Sequence, residues 1–168
     1  MDIKYVWVGK VRRHCYILTI IDTFTRYVLN WQVGFTMKSS QVKQAWEKVI
    51  VSYLQEADLL QKGVRIEIRN DNGPQFAAKI IQDFFKENYL DQVFTHPYTP
   101  QENGHIESFH SILSRSIEKE AFWEMEDLEK RLEKLYDTYN NKRLHGSIAN
   151  LTPKLFWELW DKQKISSK

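Results

Sequence analysis

Cysteine is nearly absent: Cys15 is the only one among 168 residues, beside four prolines and six glycines. A single thiol cannot close an internal disulfide. Within Cys15-Tyr16-Ile17-Leu18-Thr19-Ile20-Ile21 it reads as a buried, inert group in a reducing compartment. No Cys/His cluster of zinc-site spacing is present, which excludes a zinc-based nucleic-acid reader. No apolar run approaches the roughly 20 residues that span a bilayer. The start, Met1-Asp2-Ile3-Lys4, lacks the basic and apolar regions of a secretory signal, so no membrane partner and a cytoplasmic location are expected. An excess of one charge is missing too: 24 Lys and Arg face 22 Asp and Glu, for a net charge of +2. Charge alone therefore names no polyanionic partner. Its distribution is uneven: residues 1–30 hold five bases and two acids, residues 116–139 four bases and eight acids, and residues 140–168 six bases and two acids. Apolar residues make up 42% and aromatics 14%, enough for one domain with a proper core.

The apolar pattern gives the elements. Asp2 to Val8 alternates as a strand, Gly9 to Arg13 turns, and the Cys15–Ile21 run is long enough to be a strand buried on both faces. Thr23 to Arg26 turns it into a third strand, Tyr27 to Phe35, completing an antiparallel meander. Ser39 or Ser40 caps a helix whose stripe is Val42, Ala45, Trp46, Val49, Ile50, Tyr53 and Leu54. Val64 to Ile68 is a fourth strand. Pro74 opens a helix where proline is tolerated, with Phe76, Ile80, Ile81, Phe84 and Phe85 as its stripe. Val93 to Thr95 is a short fifth strand, and His96 to Pro100 a loop that its prolines keep out of helix. Helices then run from Gln101 or Glu102 to about Glu120, from Met125 to Tyr139, and from Pro153 through Trp160, before a frayed tail. The result is an α/β domain with a mixed sheet between helices.

Three carboxylates draw attention within this frame. Asp71 follows the fourth strand in Arg69-Asn70-Asp71-Asn72-Gly73-Pro74-Gln75-Phe76. Alone, Asp-Asn-Gly is a turn. Glu107 lies beyond 35 intervening residues, at the edge of the apolar face of a helix; alone it is a solvated side chain. Asp2 opens the first strand. Carboxylates delivered from two strand ends and a helix can hold a pair of hard divalent cations, which is a basis for chemistry on phosphodiesters. Asp22 is a rival first carboxylate, but its place at the far end of its strand fits a turn held to Arg26.

Five segments carry a resemblance to a known family: Met1-Asp2-Ile3-Lys4-Tyr5, Thr19-Ile20-Ile21-Asp22-Thr23-Phe24-Thr25-Arg26-Tyr27, Asn70 to Phe76, Pro100-Gln101-Glu102-Asn103-Gly104-His105-Ile106-Glu107-Ser108-Phe109, and Tyr139-Asn140-Asn141-Lys142-Arg143-Leu144-His145 followed by Leu151-Thr152-Pro153. In this order they resemble the catalytic domain of DDE transposases and retroviral-type integrases, and above all the bacterial insertion-sequence members. The resemblance implies a ribonuclease H-like fold. Its five-stranded mixed sheet would lie in a core of residues 1–120, with residues 121–168 a C-terminal helical extension of the same domain. It also implies that Asp2, Asp71 and Glu107 are the catalytic and metal-binding residues, with Asp71 bridging two Mg²⁺ or Mn²⁺ ions. Asp2 and Asp71 would lie on neighbouring strands, reached by Glu107 from its helix.

The activity implied is metal-dependent cleavage and transfer of DNA strands, with water or a 3′-hydroxyl attacking directly. The partners implied are double-stranded DNA, as element ends and target, and further copies of the chain. With no zinc cluster and no room for a helix-turn-helix before Asp2, end recognition is expected from an N-terminal region or a separate chain. A bacterial, nucleoid-associated location goes with this. Candidate DNA contacts are Arg115 and Lys119, eight and twelve positions after Glu107 and so roughly on its helix face, together with Arg143 and His145. Ser111 and Ser114 stand where retroviral relatives often carry lysine, and their hydroxyls can meet phosphate. His105 and His110 read as phosphate contacts or as packing, and the six Trp as core and interface. The alternatives are a truncated, weak or inactive remnant that binds DNA or oligomerises, and a nuclease for RNA–DNA hybrids. The Tyr139–His145 segment argues against the nuclease.

Overall fold

The computed structural model describes residues 1–56, 64–95, 100–118 and 120–162, of which residues 100–103 by backbone alone. Strands β1 (Asp2–Val8), β2 (Arg13–Ile21) and β3 (Val28–Gly34) form an antiparallel sheet with β2 in the middle. The register runs from Asp2 opposite Thr19 to Val8 opposite Arg13. Along β2, Cys15 and every residue from Ile17 to Ile21 are buried, as a continuous apolar run in a strand covered on both faces requires. Cys15 is the buried free thiol expected.

A second ladder is parallel: β4 (Ile66–Asn70) pairs with β5 (Leu90–Phe94), Ile66 opposite Leu90 and Asn70 opposite Phe94. Both strands differ from the sequence expectation by a few residues. β4 extends to Asn70, which is fully buried and paired, and β5 starts at Leu90. The five strands are thus shared between a three-stranded and a two-stranded ladder. They meet where the Met1 amino group donates to the Arg69 carbonyl at 2.7 Å.

Helices cover both faces. On one, α1 (Ser39–Val49), continued as a π-helical segment over Ile50–Gln55, packs with α3 (Lys79–Glu87) in a core of Leu18, Ile20, Trp46, Val49, Ile68 and Phe85. Ser39 and Ser40 prove to be the first helical residues. Lys38 takes the cap position, and its N–H donates to the Gln41 side chain at 2.8 Å. The helix expected from Pro74 is two pieces, α2 (Pro74–Ala77) and α3, because Ala78 adopts ψ 136°. The break resets the helical phase, so Ile80, expected in the stripe, is 48% exposed.

On the other face α4 (Pro100–Ile117) and α5 (Met125–Asn141) share a core of Val8, Ile17, Phe109, Leu113, Leu132 and Tyr136. A turn of 3₁₀ helix at Gly146–Ile148 leads to α6 (Pro153–Asp161), where Thr152 accepts from the Leu155 N–H at 3.2 Å. No described helix is long and apolar enough to cross a membrane. Lys119 and the tail beyond Lys162 lie outside the described residues.

Two polar contacts, one buried and one partly buried, tie α5 to the sheet. Tyr136 and Thr19 share a hydroxyl hydrogen bond of 2.7 Å. The Asn140 side chain accepts from the Val28 N–H and donates to the Val28 carbonyl, both at 2.9 Å, as a strand would. Asn140→Ala leaves both backbone groups without that partner, which costs about 1–3 kcal/mol; a fall of several degrees in Tm is expected, and an unchanged Tm refutes the clamp. Burial of the Met1 amino group lowers its pKa from 8.0 to about 6, against the raising effect of the Asp2 and Asp71 charges. A depressed folded pKa means full stability above pH 8 and a loss as pH falls towards 6, about 2–3 kcal/mol for two units. Tm should decline over that window, and acetylating the amino group, which keeps an N–H for Arg69, should flatten the decline.

Candidate active site

Asp2 is the first residue of β1 and is partly buried. One carboxylate oxygen accepts from the Ile3 N–H at 2.7 Å, and the other stands 3.3 Å from Nδ1 of His110. Burial raises the Asp2 pKa most, and the charges of Asp71 and Glu107 raise it further; the Ile3 amide and the Met1 ammonium oppose them. The charges of Asp71 and Glu107 thus both reach Asp2 at the start of β1.

Asp71 lies one residue past β4, exposed, with Oδ1 accepting from the Gly73 N–H at 2.9 Å. The turn is set from several sides. Asn70 donates to the Asp71 carbonyl at 2.7 Å and accepts from Gln92 at 3.1 Å, and Asn72 donates to the Thr95 carbonyl at 3.1 Å. Phe76, fully buried, pins the start of the next helix. Any side chain at Gly73 would place its Cβ 2.9 Å from the Asp71 carboxylate and 2.4 Å from the Gln75 amide. A side chain there would have to push both of these side-chain ends aside, the Asp71 carboxylate among them.

Glu107 is exposed on α4 between buried Ile106 and buried Phe109. Phe109 stacks on Tyr136, ring centroids 5.5 Å apart, and meets Tyr139 edge-on at 4.8 Å. Tyr136 in turn stacks on Trp31 at 4.9 Å. This aromatic column sets the rotation of α4 about its axis and hence the direction of Glu107. Three residues on, and so on the same side of the helix, His110 touches Asp2. Burial first, then Lys4 and the Met1 ammonium, lowers its pKa to about 4. Nδ1 of the imidazole stands against the Asp2 carboxylate, while Nε2 is buried without a hydrogen-bond partner. His110 is thus a packing and orienting residue, a role the sequence does not decide; its i+3 spacing from Glu107 is the one signal pointing to it.

The three carboxylates offer only oxygen ligands, the donor set a hard divalent cation takes, and their mutual repulsion is what such a cation relieves. They do not close on a single point: among the described residues no three His, Cys, Asp or Glu are grouped closely enough to hold one ion. The donor chemistry fits a metal, with the three carboxylates apart.

The other candidates separate by burial. Ser111 is exposed and donates to the Glu107 carbonyl at 3.0 Å, whereas Ser114 is buried and turned away from solvent. Arg115 is exposed, its Nε donating to the Ser111 carbonyl at 3.2 Å. Arg143 is exposed as well. His145 is partly buried against Tyr139, ring centroids 4.8 Å apart, and its burial lowers its pKa. His105 lies exposed near the start of α4. Asp22 is a turn residue: it accepts from the Phe24 and Thr25 N–H groups at 3.2 and 2.9 Å. Arg26 does not pair with it, donating instead to the Thr23 carbonyl and to Ser147.

The integrase core domain family model matches residues 1–100, and a second integrase core domain model matches residues 88–153. The transposase for insertion sequence element IS904 of Lactococcus lactis is 23% identical over 143 residues, covering 84% of this chain and 54% of that protein. The Gag-Pro-Pol polyprotein of Simian retrovirus SRV-2 is 30% identical over 120 residues, 71% of this chain and 6% of the polyprotein. The chain thus spans about half the length of the transposase and a small part of the polyprotein. Among solved structures, the catalytic core domain of BIV integrase superposes with a TM-score of 0.66 at 20% identity, covering 98% of this chain and 97% of that one. The HTLV-2 integrase catalytic core domain in complex with magnesium gives a TM-score of 0.59 at 18% identity, with 92% and 93% covered. The chain belongs to the integrase core domain family, as a DDE transposase/integrase core of ribonuclease H-like fold.

Proposed function

We propose that this chain is the catalytic domain of a DNA transposase or integrase, cutting and joining DNA strands by direct in-line attack on phosphodiesters. The observation that carries the reading is that Asp71 and Glu107 both act on Asp2 at one end of the sheet, within a chain of the integrase core family. Asp2, Asp71 and Glu107 are the residues that would hold Mg²⁺ or Mn²⁺. When bound, such ions lower the pKa of an attacking hydroxyl and stabilise the leaving oxygen.

The residues themselves orient and position. His110 holds Asp2, and the Gly73 N–H holds Asp71. The Tyr136–Phe109 column aims Glu107 at the same end of the sheet. Water or a DNA 3′-hydroxyl attacks phosphorus as the opposite P–O bond breaks. The departing 3′-oxygen leaves with the electron pair, and no bond to the protein forms. The exposed bases on and after α4, Arg115 and Arg143, are the groups that would meet the phosphate backbone. Double-stranded DNA and a second copy of the chain are the partners proposed, with end recognition supplied from outside residues 1–168.

Strand transfer from a duplex carrying a free 3′-hydroxyl, with Mg²⁺ or Mn²⁺, tests the chemistry. Asp71→Asn and Glu107→Gln should each cost more than about 100-fold while melting at the parental temperature. Undiminished transfer by either variant refutes the three-carboxylate reading. Arg115→Ala should weaken binding of duplexes of any sequence and shallow the salt dependence by about one phosphate contact; an unchanged salt slope places Arg115 off the DNA path.

A further inference from the structure

β1 has different surroundings at its two ends. At Met1 a cavity of about 520 Å³ opens between β2 and β4, with Ile20, Trp46, Ile68 and Trp157 in its walls. At the other end, past the carboxylates, the strand outruns its cover. Met1 stands at Arg69, and β4 ends one residue later at Asn70. The Tyr5 hydroxyl, whose pKa is raised by partial burial first and by Tyr16 next, also feels the charges of Asp71 and Asp2. Tyr5 to Trp7 therefore project beyond the end of β4, with β2 as their strand partner.

On the α1 side of the sheet, apolar cover reaches Ile3 and Tyr16, which pack against the α1 core, and goes no further along the hairpin. Tyr5 and Trp7 are 55% and 52% exposed, and His14 opposite Trp7 is exposed as well. Trp7, expected from sequence in the core or an interface, is a surface residue. The rings are nonetheless held in place. Tyr5 meets Tyr16 across the strands with ring centroids 5.0 Å apart, and Trp7 meets His14 at 5.1 Å, both edge-on. An edge-on pair uses the rim of one ring and one face of the other, so ring faces stay open in each pair. Tyr5 and Trp7 lie two residues apart on one side of β1, about 6.8 Å. That is twice the roughly 3.4 Å rise of a stacked DNA strand, a spacing for bases drawn out of their stack.

The hairpin is also basic. Residues 3–21 carry Lys4, Lys10, Arg12 and Arg13 and no Asp or Glu. Lys10 is paired with Glu124. Arg12 and Arg13 are exposed and make no ion pair among the described residues, Arg13 lying over the Phe35 ring at 5.7 Å. We propose that this face of the hairpin holds unpaired DNA beside the carboxylates, with bases stacked on Tyr5 and Trp7 and phosphates met by Arg12 and Arg13. Exposed aromatic faces flanked by cations, with no acid among them, grip single strands of any sequence. The platform gives nucleotides freed from pairing a place next to the bond being cut, and in that use it rests on the proposed DNA chemistry. The grip itself needs neither the carboxylates nor a metal.

Titration calorimetry of the full 168-residue chain with a short oligothymidylate, in EDTA, tests the platform against a blunt duplex of equal phosphate number. Trp7→Leu keeps an apolar side chain without a stacking ring. It should weaken the oligonucleotide about tenfold and leave the duplex unchanged, and Trp7→Phe should restore most of the loss. Arg12→Gln should reduce the salt dependence by about one phosphate contact, which Trp7→Leu should not. Parental affinity in Trp7→Leu overturns the platform, as does an equal loss on the duplex. So does a change from dimer to monomer in sedimentation with affinity untouched, which assigns the face to a second copy of the chain. Should Trp7→Leu melt early, photocrosslinking of an iodouracil-substituted oligonucleotide to the unaltered chain decides: adducts on Tyr5 or Trp7 support the platform, and adducts only elsewhere overturn it. Neither readout involves catalysis. Strand transfer without stacking therefore refutes the platform alone, and stacking without strand transfer refutes the catalytic reading alone.

Discussion

The relation between Asp2 and Asp71 depends on a seam between β1 and β4, marked by the amino group of Met1 on the carbonyl of Arg69. Neither carboxylate is placed by its own contacts alone. Asp71 is fixed to its turn, and the turn to β4 and β5 through Asn70, Asn72 and Gln92. Asp2 is fixed to β1, and through His110 to α4. Two well-built half-sites therefore face each other across a seam that determines their separation. A buried amino group in that seam, its charged form disfavoured by burial, is an unusual element for a sheet interior, where amide pairing normally does the joining.

Glu107 is positioned by a different kind of constraint. Phe109, Tyr136, Tyr139 and Trp31 form a packed aromatic column from α4 through α5 to β3. Rings at these separations have few alternative arrangements, so the helix can neither rotate nor slide without disrupting all of them. Tyr136 of this column is also locked to the sheet by Thr19, and Asn140, next to Tyr139, by the Val28 backbone. The segment from Tyr139 to His145, singled out in the sequence by resemblance, acts in the structure largely as a fastening. Tyr139 packs on Phe109, Asn140 replaces a strand partner, and His145 packs on Tyr139.

Periodicity makes most of this legible. A continuous apolar run marks the central strand, and i, i+3, i+4 stripes mark the helices to within a few residues. The departures have physical causes. Ile80 leaves its expected stripe because a one-residue break at Ala78 changes the helical phase without a Gly or Pro to announce it. Ser114 is buried rather than a surface hydroxyl because small polar residues fit buried helix contacts as well as exposed ones. Arg26 does not meet Asp22 because that carboxylate is already occupied by the amides of its turn. The i+3 spacing puts His110 on the Glu107 side of its helix, but its role depends on which strand end lies opposite, a tertiary fact. The three carboxylates are legible by motif and spacing, but their separation is a property of the seam.

The cavity beside that seam also gives the molecule an optical property. Three of the six tryptophans, Trp46, Trp157 and Trp160, line it. Trp46 donates its indole N–H to the Met1 sulfur at 2.9 Å, and Trp157 rests against Tyr27 and Tyr53. Indole emission depends on local polarity and on nearby quenching groups, so whatever fills or empties this space changes the colour and intensity of the protein's own fluorescence. The state of the seam on which the carboxylates depend can thus be followed by light, without a label and without touching the residues that would carry the chemistry.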